Sequence, residues 1–186
     1  MCVAVLVKPG HRLTIEQMNS MYDTNPDGYG FGGIRETHGT RFSHTVRGLR
    51  REDISKDYDR FLSEIDQKSP HLAHFRIATS GRVDTSNCHP FYVKDGVLVH
   101  NGMLAYGSLS DPRSDTAHFT SRLYHQLGEE SVLPNLEEFE KIIGYNKIIL
   151  LWKSGRYAIA NEKSGAWIDD DTIWVSNMPQ KYACKK

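Results

Sequence analysis

The chain has 186 residues, of which 39% are hydrophobic, 10% aromatic and 25% charged, a balance that excludes disordered and fibrous classes and suits one domain over residues 1–186. Lysine plus arginine (23) equals aspartate plus glutamate (23), and Arg47, Arg50 and Arg51 are answered at once by Glu52 and Asp53, which argues against nucleic acid and anionic membrane as partners. Three cysteines, Cys2, Cys88 and Cys184, form no CxxC pair, which argues against a disulfide framework or zinc site and fits a reducing cytoplasm.

Cys2 to Val7 reads as a short buried strand, stopped by Lys8 and Pro9 and too short for a signal core or a bilayer span. Thr14 with Gln17 three residues on predicts a capping box and a helix to about Tyr22, and Asn25-Pro26-Asp27-Gly28 a tight turn. Strands are expected over Tyr29 to Arg35 and Arg41 to Val46, joined as a hairpin at His38-Gly39. Ile54, Tyr58, Phe61, Leu62 and Ile65 recur at helical spacing, giving an amphipathic helix from about Asp53 to Gln67.

His71 to Thr79 and Val97 to His100 read as strands around a turn-rich Ser80 to Pro90. Ser114-Asp115-Thr116 starts a helix whose apolar face continues through Phe119, Leu123 and Leu127. Asn135 with Glu138 predicts a second capping box and a helix over Leu136, Phe139, Ile142 and Ile143. Lys147 to Trp152, Tyr157 to Ala160 and Thr172 to Ser176 are β-rich runs separated by Ser-Gly turns. This order suits layered α+β packing with antiparallel sheets better than βαβ repeats, and permits a four-layer αββα sandwich.

Few residues stand out chemically when taken singly. If Met1 is removed, Cys2 carries a thiol and an α-amine of pKa about 7.7 to 8.0 on one residue, so nucleophile and base need no partner; it is equally a small apolar residue opening a strand. Arg76 sits in an apolar run, where a guanidinium is costly unless paired; its planar fork suits a carboxylate, whether a ligand's or a structural partner's. Asn101-Gly102 is first of all a hairpin signal, yet an Asn amide and a Gly N–H can also serve one oxyanion. Asp115 is either part of a helix cap or a counter-ion for an ammonium group. Asn87 to Phe91 is by itself a turn beside a strand. His71 and His74, three apart on a strand, face opposite sides, Cys88-His89 lacks zinc-finger spacing, and Gly28, Gly30, Gly32 and Gly33 fit no nucleotide loop, so no metal or cofactor is expected.

In this order, Met1-Cys2, Asn25 to Gly30 (NPDGYG), His74 to Gly81 (HFRIATSG), Asn87 to Phe91 (NCHPF), His100 to Gly102 (HNG) and Ser114 to Thr116 (SDT) resemble the class II, N-terminal-nucleophile glutamine amidotransferase family over residues 1 to about 120. The pattern is most similar to small stand-alone phage or bacterial members. The resemblance implies the αββα fold and glutamine as substrate, with a separate synthetase or acceptor-binding subunit as partner. It also implies residue roles: Cys2 as nucleophile, Arg76 for the α-carboxylate, Asn101 and Gly102 as the oxyanion hole, Asp115 for the α-ammonium and Thr79 lining the pocket. Val3, Ile77, Ser80 and Ala117 stand where many relatives carry Gly, Trp, His and Glu; none of these removes a catalytic group, but Ile77 and Ala117 imply a different acceptor and lid. The same residues also fit an amidase for another γ-glutamyl amide, or a non-catalytic binding protein on the same fold.

Overall fold

A computed structural model of the chain describes residues 2–107 and 111–178; Met1 and Cys184 lie outside them. Chain order is β1 (Val3–Val7), α1 (Ile15–Thr24), β2 (Tyr29–Thr37), β3 (Thr40–Gly48), α2 (Ile54–Glu64), β4 (His71–Phe75), β5 (Phe91–Val93) and β6 (Gly96–Asn101). It continues through α3 (Asp115–Arg122), α4 (Glu129–Val132), α5 (Leu136–Ile143), β7 (Lys147–Trp152), β8 (Tyr157–Ala160), β9 (Ala166–Ile168) and β10 (Ile173–Val175). Two sheets form, ordered β3-β2-β4-β1-β10-β9 and β5-β6-β7-β8, and every pairing is antiparallel.

Alternation along β1 shows how the layers arise. Val3, Val5 and Val7 point to one core with Met18, Met21, Tyr58 and Phe61 of α1 and α2, while Ala4 and Leu6 point to another. That second core lies between the sheets, joining Leu72 and Trp174 to Val97, Val99, Ile149 and Leu151. A third unites Leu98, Ile148 and Leu150 with Phe119, Val132, Phe139 and Ile143 from α3 to α5. Successive strand residues face opposite ways, so strands buried on both faces carry continuous apolar runs. The result is the four-layer αββα sandwich that the order of elements permits. Among the described residues no helix is long and apolar enough to cross a membrane.

Helix α1 begins as expected: Thr14 accepts from Gln17 N–H, and the Gln17 side chain accepts from Thr14 N–H at 2.7 Å. The second expected box is absent. Residues 133–135 form a 3-10 turn running on from α4 into α5, so there is no free helix start to cap, and the Asn135 amide donates to the Ser131 carbonyl instead. Ile142 is 71% exposed and lies outside the core. Helix α3 stops at Arg122 rather than reaching Leu127, and the carbonyls of Tyr124 and Leu127 beyond it accept from Lys94 N–H and the Trp152 indole. Leu123 and Leu127 pack in the outer core all the same.

Strand β4 ends at Phe75, four residues earlier than the apolar run predicts. Both its neighbours run out there, since Phe75 faces Val3 on one side and Tyr29 on the other. Asn101-Gly102 makes no hairpin, because β6 pairs with β5 and β7 and Gly102 has φ +145°.

Candidate functional site

The residues singled out by sequence collect where β1 and α3 begin and β4 and β6 end. Cys2 precedes β1 and is partly exposed, its thiol 3.4 Å from the Ile77 carbonyl and its own carbonyl accepting from Asn177 Nδ2 at 2.9 Å. Burial pushes the Cys2 thiol pKa up; the Ile77 contact and the Arg76 guanidinium oppose this, and Asp115 adds to it. The thiol therefore rests protonated at neutral pH, and any reaction through the thiolate would need a base to take its proton.

Arg76 follows β4 and is 3% exposed. Its main chain continues the β4 pairing for one step, donating to Gly28 O at 2.7 Å and accepting from Asp27 N at 2.9 Å. Its guanidinium donates to the carbonyls of Ser80 (2.8 Å) and Arg82 (3.1 Å), and no carboxylate of the described residues lies within 4 Å. The ion pair that would make this arginine purely structural is not there. Asp27 also fastens the next stretch, its carboxylate accepting from Ala78 N–H at 2.8 Å.

Asp115 is the first residue of α3. Ser114 caps the helix by accepting from Ala117 N–H, and the Asp115 carboxylate accepts from Thr116 N–H (2.7 Å), Leu104 N–H (2.8 Å) and the Ser80 hydroxyl (3.2 Å). Its place in the first turn suits a negative charge. Thr79, Ser80, Leu104, Tyr106, Arg113 and Asp115 are among the residues lining a cavity of about 380 Å³. Two other clefts, between Met18 and Ser55 and around Glu129 and Arg156, contain none of the singled-out residues.

Asn101 ends β6, buried, with Nδ2 3.0 Å from Ser176 Oγ and Oδ1 without a partner among the described residues. Gly102 follows at φ +145°, and a Cβ there would meet Asn146 Oδ1 at 2.1 Å, so only glycine fits. His100 fixes this corner: Nε2 lies 2.8 Å from Asn146 Oδ1 and Nδ1 2.8 Å from Thr116 Oγ1. Because Asn146 Oδ1 can only accept, Nε2 carries the proton and Thr116 donates to Nδ1. One imidazole thus ties the end of β6 to the first turn of α3.

Asn87 to Phe91 takes no part in the cavity lining; it packs across β2. The His89 carbonyl would lie 2.0 Å from a Cβ on Gly30, which explains a glycine there that matches no nucleotide loop. Burial pushes the Cys88 thiol up to about 11, an inert packing residue. Sequence reasoning missed Asp27, Ser80, Ser176 and Asn177. Asp27 was legible only as a turn residue and Ser176 only as a strand end, since their partners lie 51 and 172 or 75 positions away.

No family model matches the chain, and no curated protein matches it. Among solved structures, a glutamine phosphoribosylpyrophosphate amidotransferase from B. subtilis matches at 15% identity, covering 94% of this chain and 41% of that one, with a TM-score of 0.46. A second, described as the allosteric regulatory enzyme of purine biosynthesis, matches at 16% identity over the same shares with a TM-score of 0.50. The second likeness is one of fold. The chain spans about two fifths of the length of these structures.

Proposed function

We propose that this chain hydrolyses the side-chain amide of glutamine through Cys2. The observation that carries the reading is that Arg76 and Asp115 meet at Ser80, whose carbonyl accepts from the guanidinium and whose hydroxyl donates to the carboxylate, while the Cys2 thiol rests against the carbonyl of Ile77, next after Arg76, and neither charge is ion-paired among the described residues. A cation and an anion left open beside one nucleophile match the α-carboxylate and α-ammonium of an amino acid whose side chain reaches the sulfur.

The thiol proton passes to the α-amine of Cys2, which requires that Met1 has been cleaved. The thiolate adds to the carboxamide carbon, and the oxyanion is held by Gly102 N–H and the Asn101 amide. The C–N bond breaks as the protonated amine returns its proton to the departing nitrogen. Ammonia leaves, and water then attacks the γ-glutamyl thioester, releasing glutamate and restoring the thiol. The ammonia is passed to an acceptor bound by a separate synthetase or subunit. The raised Cys2 pKa supports the need for this local base. Thr79 lines the same cavity as Ser80 and Asp115, which supports a place for it beside the bound glutamine.

Ammonia release from free glutamine, coupled to glutamate detection, tests this reading. Wild-type protein turns over and Cys2→Ala does not; a Cys2→Ala variant as active as wild type would contradict it. Cleavage confined to larger γ-glutamyl amides would move the substrate to that class.

A further inference from the structure

Ser176, next after β10, is fixed by β1 on two sides: its N–H donates to Ala4 O, and its hydroxyl oxygen accepts from Ala4 N–H, each at 2.9 Å. The same oxygen lies 3.0 Å from Asn101 Nδ2. Ser176 and Asn101 are both almost fully buried. With the amide nitrogen facing Ser176, two buried groups lack partners among the described residues, Asn101 Oδ1 and the Ser176 hydroxyl proton. Unpaired buried polar groups are destabilising, and the two ends of a carboxamide are told apart only by the hydrogen bonds they make.

A half-turn of the amide gives the Ser176 hydroxyl proton an acceptor and leaves the NH₂, in the buried position that Oδ1 holds, as the group open to a ligand oxygen. Ala4 N–H can only donate, so the Ser176 oxygen spends a lone pair on it and keeps its proton for Asn101. We propose that Ser176 is a positioning residue whose hydroxyl donates to Asn101 Oδ1 and so turns the Asn101 NH₂ away from Ser176, where it is free to serve as the oxyanion donor. The inference rests on the glutamine-hydrolase reading and deepens it. Asn177, holding the Cys2 carbonyl, lets the end of β10 fix nucleophile and oxyanion donor together. Without the hydroxyl the amide rotates, and a donor needed most in the transition state is mispresented, while the groups that hold the amino-acid end are untouched.

The test uses the full chain with Ser176→Ala and Ser176→Thr, each with and without Asn101→Ala, measuring kcat and KM for glutamine beside thermal unfolding. Ser176→Ala should lower kcat roughly ten- to a hundredfold with KM unchanged, a partial loss of one oxyanion donor. Ser176→Thr should recover most of it, and Ser176→Ala should add nothing on the Asn101→Ala background. A kcat loss that persists undiminished on that background, or a rise in KM alone, would overturn the proposal. If wild-type protein releases no ammonia, the hydrolase reading fails separately and orientation is read by NMR of the wild-type protein. The Asn101 amide protons, assigned with Asn101→Asp, should then show no Overhauser contact to the Ser176 β-protons; a strong contact would refute the assignment.

Discussion

A guanidinium shut away from water must find oxygens, and Arg76 finds them on the main chain, at Ser80 and Arg82. Its position then survives without a counter-ion, and its charge remains available to a ligand carboxylate. Lysine has one compact ammonium in place of a fork, so it cannot hold two carbonyls and a carboxylate in one plane. Arg76→Lys should raise the KM for glutamine by roughly tenfold, about 1.4 kcal/mol, with a much smaller change in kcat. Steady-state kinetics check this; an unchanged KM would remove Arg76 from the substrate site. At this scale the sequence was informative about residue type and order. An arginine in an apolar run and a Cys at position two were visible, whereas the Ser176 to Asn101 and Asp27 to Ala78 bonds join residues no local pattern connects.

Strand β4 carries a second chemical consequence. His71 faces the α1 and α2 side, its Nε2 2.7 Å from Tyr58 Oη, while His74 faces the other sheet, its Nε2 donating to His100 O at 2.9 Å and its ring centre 3.9 Å from that of His89 at a tilt of 30°. Burial lowers the pKa of His71 and His74 to about 3, and that of His89 well below the usual imidazole value. The unfolded chain takes up these protons near pH 6.5, whereas the folded chain refuses them until about pH 3. Stability is therefore full above pH 6.5 and is lost as pH falls through that window, on the order of 1 kcal/mol per pH unit for each histidine. Unfolding temperature measured from pH 7 to pH 4 should fall steeply; a flat profile would place these side chains in contact with water. That His71 and His74 face apart follows from a period of two and was legible in advance. The early end of β4 was not, because it depends on where β1 and β2 stop. Thr14 and Asn135 show the same division. Both begin box-like sequences, but only Thr14 stands at a helix start, and the turn that carries α4 into α5 is absent from any local rule.

Three apolar cores hold the four layers, and the singled-out residues fall at one end of the two sheets, where β1 begins and β4 and β6 finish. The layers were within reach of sequence because continuous apolar runs and helical stripes survive any register. Strands β5 and β9, three residues each, escaped because so short a run carries no period. One end of the sheets brings together the Cys2 thiol, a cation and an anion that make no ion pair among the described residues, and a glycine that admits no side chain, which we read as an amide hydrolase whose base is the amine of Cys2. Intact mass after treatment with a glutamine-analogue diazoketone tests that most directly. The expected result is a chain that begins at Cys2 and gains one adduct there, in step with loss of ammonia release. Folded, active protein that retains Met1, or that keeps an unmodified Cys2, would contradict it.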